Sequence, residues 1–177
     1  MDFAKIAFFV LAMQKDIIIR KAYANDADSV WRILQPIIEK GDVFVYAPDS
    51  KRNDVLSSWM SESNFNYVAM IDDEVVGSYF IKPNQQGLGS HIANAGYAVS
   101  VNHSGNGIGK LMGEHSIEEA KQLGFAGIQF NFVVKSNVTA VALWRKLGFE
   151  IIGEIPSAFM HKANGLTNAY IMFRSLI

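Results

Sequence analysis

The stretch SVNHSGNGIGKLM, Ser100–Met112, decides how the rest of the chain is read. Glycines recur at every second position, Gly105, Gly107 and Gly109, after an apolar β-branched run and ahead of an amphipathic pattern. A strand that turns through glycine into a helix gathers unpaired backbone N–H groups and the positive end of the helix dipole at one point. An anion, most often a phosphate, fits there. Glycine suits such a nest because a side chain would block close approach and because some positions need positive φ. The bland alternative is a flexible surface turn, and the strand before it and helix after it argue against that. Spacing excludes two nucleotide motifs. G-x-G-x-x-G needs a glycine where Lys110 stands, and a Walker loop needs Ser or Thr after Gly109-Lys110, where Leu111 stands.

Downstream, Ile108, Leu111, Met112, His115, Ile117, Ala120 and Leu123 share or adjoin one helical face, and Gly124 ends the helix. A strand GIQFNFVV, a helix NVTAVALWRKLG, a strand FEIIGEIP and a closing strand TNAYIMFRSL follow. Upstream, HIANAGYAVSV (residues 91–101) is a strand that runs into the glycine loop, and NYVAMIDDEVVGSYFIKPN is a hairpin turning at Asp72-Asp73-Glu74. DIIIRKAY is a first strand, and NDADSVWRILQPIIEKG begins with capping residues and spaces Val30, Ile33, Leu34, Ile37 and Ile38 helically. Pro36 is expected to break or kink that helix. A loop GDVFVYAPD carries Phe44 and Tyr46, as core plugs or as pocket lining, before a second helix with Val55, Leu56, Trp59 and Met60. The order β-α-α-β-β-β-α-β-α-β-β is mixed α/β (α+β) with an antiparallel front half, not a repeating Rossmann chain.

At 177 residues with no linker or repeat, the chain is expected to form one domain over residues 16–177, with residues 1–15 as an N-terminal extension. The apolar run Ile6–Met13 is too short to span a bilayer and lacks the flanks of a secretory signal, so a cytoplasmic protein is expected. A net charge of −1 disfavours a nucleic-acid surface and points to a small partner. The absence of cysteine excludes a disulfide, a thiolate metal site and a cysteine nucleophile.

Taken with SNVTAVALWRKLGF (residues 136–149), in which an Asn starts a helix that ends in an apolar-Gly-Phe turn, the glycine loop resembles the two signatures of the GNAT superfamily of N-acetyltransferases. The resemblance runs from about Asp16 to the C-terminus and implies a mostly antiparallel central sheet, splayed between residues 91–101 and 127–134, with helices on both faces. It implies acetyl-CoA as co-substrate, and no metal. Backbone groups of Val99 and Val101 would pair with the pantetheine arm; Ser104, Gly105, Asn106, Gly107, Ile108, Gly109 and Lys110 would take the pyrophosphate. Asn137 would bond the pantetheine or simply cap its helix.

Two departures bear on mechanism. Ser104 stands where the family often has Arg or Gln, which leaves charge neutralisation to backbone amides and Lys110. Trp144 stands where a Tyr commonly protonates the departing thiolate, and an indole N–H is no practical acid at neutral pH. No carboxylate lies in the strand 91–101, and His91 and His103 read as strand-end or loop histidines.

Alternation along GIQFNFVV places Ile128, Phe130 and Phe132 on one face and Gln129, Asn131 and Val133 on the other. Asn131, and likewise Asn168 in the closing strand, need hydrogen-bonding work, internal or catalytic. With GDVFVYAPD, IGEIPSAF and TNAYIM, this pattern resembles the GNAT branch that includes a fungal acetyltransferase of proline analogues such as azetidine-2-carboxylate. That resemblance implies a small amino acid acceptor positioned by Asn131 and Asn168 and walled by Phe44 and Tyr46. The expected partners are a small amine, no nucleic acid and no membrane, with a homodimer left open. The alternatives are a protein N-terminus, polyamine or antibiotic acceptor, a non-catalytic CoA sensor, and an unrelated phosphate-loop protein.

Overall fold

Along β2 (Phe65–Ile71), Tyr67, Ala69 and Ile71 alternate with Val68 and Met70, and all five are shielded, so this strand must be covered on both faces. The computed structural model describes residues 16–177, and the proposed extension 1–15 lies outside the described residues. In chain order the elements are β1 (Ile17–Lys21), α1 (Ala27–Lys40), α2 (Arg52–Trp59), β2, β3 (Glu74–Pro83), β4 (Ile92–Val99), α3 (Ile108–Gln122), β5 (Gly127–Val134), α4 (Val138–Lys146), β6 (Glu150–His161) and β7 (Gly165–Ser175). They follow the order expected from sequence. The strands form one seven-stranded sheet, β1-β2-β3-β4-β5-β7-β6, antiparallel except where β4 meets β5. That junction consists of two register pairs, Ile92 with Gly127 and Ala93 with Ile128. Beyond them the strands diverge.

Helices α3 and α4 cover one face. Beneath α3, Tyr67, Tyr79 and Tyr97 stand opposite one another on β2, β3 and β4, with ring centroids 4.8 and 5.5 Å apart and nearly parallel planes. Each hydroxyl is held by the helix above: Tyr67 donates to Glu119 (2.5 Å), Tyr79 bonds His115 Nδ1 (2.5 Å) and Tyr97 bonds Ser116 (2.7 Å). Burial pushes all three phenols well above their ordinary pKa, so this row is a neutral, hydrogen-bonded floor. Gly113 lets α3 meet α4 closely, since a Cβ there would fall 2.4 Å from Leu147 Cδ1. On the opposite face α1 and α2 pack Val30, Ile33, Leu34, Ile38, Val55, Leu56 and Trp59 over Val68 and Ala98.

Four expectations are corrected. Pro36 does not break α1, which continues to Lys40. Its ring lies on the exposed side, where water can satisfy the carbonyl that loses its donor. In β5 the register shifts between Phe130 and Val133. Val133 thereby joins Phe130 in the core under α3 and α4, while Phe132 turns to pack edge-on against Phe159 (6.2 Å). Leu111 and Leu123 are exposed, and Gly113 and Ser116 take the buried positions on α3. Finally, the strand expected to end at Pro156 continues to His161, bulging between Ile155 and Phe159.

Among the described residues no helix is long and apolar enough to cross a membrane.

The first connection is clamped by a buried carboxylate. Asp26 takes two bonds from Arg20 (2.8 Å each) and one from the Tyr23 N–H (2.8 Å). The Arg20 bond, reinforced by the Tyr23 amide, holds its carboxyl below the ordinary value of 3.8 despite the opposing effect of burial. Because the folded pKa is the lower one, this stabilisation is complete above the unfolded pKa and is lost as pH falls through the folded value. Asp26→Asn should cost about 2 kcal/mol at neutral pH. In urea titrations the gap to wild type should narrow only as the pH drops below the ordinary carboxylate range.

Candidate functional site

Where β4 leaves β5, the side chain of Asn94 reaches across and donates to the Gln129 carbonyl (2.8 Å). It replaces the next backbone bridge and fixes the point from which the sheet opens. On its other edge β4 remains paired to β3, with Asn84 N–H on the Ile92 carbonyl and Ser100 N–H on the Val76 carbonyl. Antiparallel alternation therefore turns the backbone groups of Ala95, Tyr97 and Val99 away from β3, into the opening. Val99 thus turns its backbone groups into the opening. Val101 does not continue that row, because it has entered a 3-10 turn and its carbonyl accepts from Ser104 N–H (3.4 Å).

At the far end of the opening stands the glycine loop. Gly105 (φ 84°) and Gly107 (φ 78°) are left-handed, and a Cβ on either would meet nothing within 4 Å. These two glycines are therefore required by backbone conformation, not by crowding. Gly107 caps α3, whose first bond runs from Leu111 N–H to the Gly107 carbonyl (3.1 Å). The amides of Ile108, Gly109 and Lys110 precede that bond and point out of the helix end. The buried Ile108 side chain anchors the turn. Ser104 and Asn106 are exposed, and Lys110 is engaged one turn along by Glu114 (2.7 Å). Gly109 differs from the other two glycines: its Cβ would lie 3.5 Å from Leu143 and 3.8 Å from Val99, at the mouth of the slot between α3, α4 and β4. Asn137 caps α4 by accepting from Ala140 N–H (3.2 Å). Trp144 is buried against Tyr97 (4.6 Å) and Phe130 (4.7 Å).

The face covered by α1 and α2 carries a second set of groups beside the opening. Phe80 lies on Gly96, where an added Cβ would come within 2.7 Å of the ring. The aromatic line continues from Phe80 to Trp59 (5.1 Å), Phe44 (5.5 Å) and Tyr46 (6.3 Å). Trp59 is itself tied to Ser78 through its indole N–H (3.0 Å). The long loop thus brings Phe44 and Tyr46, half-buried, to this face. Asn131 is also here, exposed, donating to Asn84 (2.6 Å) and accepting from Gln129 (2.9 Å).

Asn168 belongs to a different cluster. It accepts from Ser157 N–H (2.9 Å) and donates to Glu154, pinning the β6 bulge where Ser157 has φ 50°. The Asn168 bond and then Lys135 hold the Glu154 carboxyl below its ordinary range. His91 bonds the Leu88 carbonyl (3.1 Å), and His103 keeps a buried, unpartnered Nδ1 beside the β2–β3 turn. Neither histidine stands among the groups that border the opening. Sequence reading missed Asn94, Gly96 and Tyr97. Their only signal was the small-and-polar alternation in IANAGYAV.

A model of the acetyltransferase (GNAT) family matches residues 28–149. Over 98 residues the chain is 37% identical to "N-acetyltransferase aca1" of Schizosaccharomyces pombe, covering 55% of this chain and 47% of that protein. Over 95 residues it is 30% identical to "Protein SPT10" of Saccharomyces cerevisiae, covering 54% of this chain and 15% of that one. The chain thus spans less than half the length of these relatives. Among solved structures, a GCN5-related N-acetyltransferase from Kribbella flavida superposes with a TM-score of 0.86 at 34% identity, over 90% of this chain and 97% of that one. A phosphinothricin acetyltransferase from Sinorhizobium meliloti in complex with acetyl-CoA shares the fold, with a TM-score of 0.79 at 20% identity over 90% and 88% of the two chains.

Gly96→Ala should push Phe80 off β4 and cost about 1–3 kcal/mol by overpacking. The cost should show as a lower thermal midpoint, and the displacement as changed ring-current shifts on the Phe44, Tyr46 and Trp59 resonances.

Proposed function

The chain belongs to the acetyltransferase (GNAT) family, and we propose that it transfers an acetyl group from acetyl-CoA to the amine of a small, proline-like amino acid. The observation that carries this reading is the divergence of β4 and β5 ending at an open glycine cradle. The residues present fit the donor. Unbonded amides at the start of α3 suit a pyrophosphate even with Ser104 in place of a basic residue. The inward backbone groups of Ala95, Tyr97 and Val99 suit the amides of a pantetheine arm. Asn137 would border that arm at the start of α4.

Acetyl-CoA supplies an activated acyl group as a thioester, open to direct attack by an amine in a ternary complex. The chain contributes position: the slot holds the donor from one side of the sheet, and the acceptor reaches it from the face of Phe44, Tyr46 and Phe80. Asn131, through its Nδ2, would orient the acceptor or polarise the carbonyl once its bond to Asn84 is exchanged. Asn168 acts at a distance in this reading, by holding the β6 bulge beside that face.

Proton transfer falls to solvent. Trp144 offers no acid, and the hydroxyl of Tyr97 is committed to Ser116, which in turn donates to the Gly113 carbonyl (2.8 Å). That lack of an acid also favours a second reading, a CoA-binding sensor without turnover.

Calorimetry with CoA and thiol release from acetyl-CoA across an amine panel separate the two readings. Binding with release supports the enzyme, binding alone supports the sensor, and neither result overturns both. Gly109→Val should fold normally and raise the KM for acetyl-CoA about tenfold, or ~1.4 kcal/mol, by narrowing the slot mouth. Asn131→Ala should lower kcat/KM for the best amine by about tenfold or more at unchanged acetyl-CoA KM; unchanged turnover would reduce Asn131 to a structural residue.

A further inference from the structure

We infer that Lys82 sets acceptor specificity by holding an anionic group, a carboxylate, on the amine to be acetylated. The inference rests on the acetyltransferase reading and deepens it. Lys82 lies near the end of β3 directly opposite Asn94, the residue that fixes where the sheet opens. Alternation puts it on the same face as Phe80, and its ammonium lies 5.6 Å from the Phe80 ring centroid. That ring covers Gly96, one step further into the opening.

What sets this lysine apart is its combination of shielding and lack of a partner. Lys40, Lys110, Lys121 and Lys135 are each paired with a carboxylate, and Lys162 donates to the Glu39 carbonyl. Lys21, Lys51 and Lys146 enter no ion pair and lie in the open. Among the described residues Lys82 alone is a half-buried lysine whose ammonium makes neither a hydrogen bond nor an ion pair. The groups that border it are an aromatic ring and amides: Phe80 beside its ammonium, Asn94 opposite it on β4, and Asn84, two residues on, which accepts from Asn131. None of them is acidic. A partly desolvated cation in such surroundings favours a carboxylate and disfavours a second ammonium. The face therefore suits an amino acid better than a polyamine or a polycationic antibiotic.

The test compares each acid with its own amide. Thiol release from acetyl-CoA is measured with the standard amino acids and azetidine-2-carboxylate, each beside its carboxamide, for example proline beside prolinamide. Wild type should favour the acid over the amide by about tenfold or more in kcat/KM. Lys82→Met should collapse that ratio, mainly through a higher KM for the acid, and Lys82→Arg should restore most of it. A structural role for Lys82 would lower both activities together and leave the ratio standing. If Lys82→Met does not fold, Lys82→Gln gives the same readout. A wild type that binds CoA but does not prefer the acid, or accepts no amine of the panel, overturns the Lys82 assignment. So does a ratio unmoved by the substitution. Failure of the acetyltransferase reading itself looks different: neither CoA binding by calorimetry nor thiol release with any amine.

Discussion

Two backbone pairs and one carboxamide join the halves of this sheet. After Ile92–Gly127 and Ala93–Ile128 the ladder between β4 and β5 stops, and Asn94 spans the next step with its side chain. A strand edge without a partner normally invites aggregation or must be covered. Here the unpaired edge of β4 faces inward, walled by α3 and α4 on one side and by the aromatic loop on the other. It is a row of main-chain donors and acceptors, and a linear diamide such as pantetheine would match that pattern of groups.

The opening persists because its walls are held independently. The tyrosine row couples three consecutive strands to α3 through stacked rings and capped hydroxyls. This fixes α3 over β2, β3 and β4, and the buried Ile108 anchors its first turn and the amide cradle with it. Gly113 and the Trp144, Phe130 and Phe149 rings bring α4 and β5 into the same packed unit. In the proposed function the donor-side groups are main-chain atoms on rigid elements, whereas the acceptor-side groups are side chains partly carried by the loop that bears Phe44 and Tyr46. A fold arranged this way can keep one donor and change its acceptor by substitution on a single face.

The layout of elements was legible because it rests on local patterns: β-branched runs, helical spacing, the glycines at 105–109, and the Asn that caps α4. The misreadings share a physical cause, which is that bulges and water-facing positions leave no periodic trace. Phe132 and Val133 exchange faces because one shift between Phe130 and Val133 inverts the alternation. Pro36 is tolerated because its face of α1 is wet. Asn168, whose hydrogen-bonding work the sequence left open, has partners in a β6 bulge that its own sequence does not announce. Lys82 and Asn94 were invisible for a different reason. A lone lysine near a strand end reads as a solvated edge, and only the register that sets it opposite Asn94 gives it meaning.

We propose the divergence of β4 from β5 as the donor slot. Amide hydrogen exchange followed by NMR with and without CoA tests it at the level of single N–H groups. A donor slot there requires slowed exchange at Ala95, Tyr97 and Val99 and across the amides of residues 105–110, with Ala93 and Ile128 unchanged because they are already paired. Saturating CoA that leaves the amides of Ala95, Tyr97 and Val99 unaltered, or protects a different face of the sheet, would contradict it.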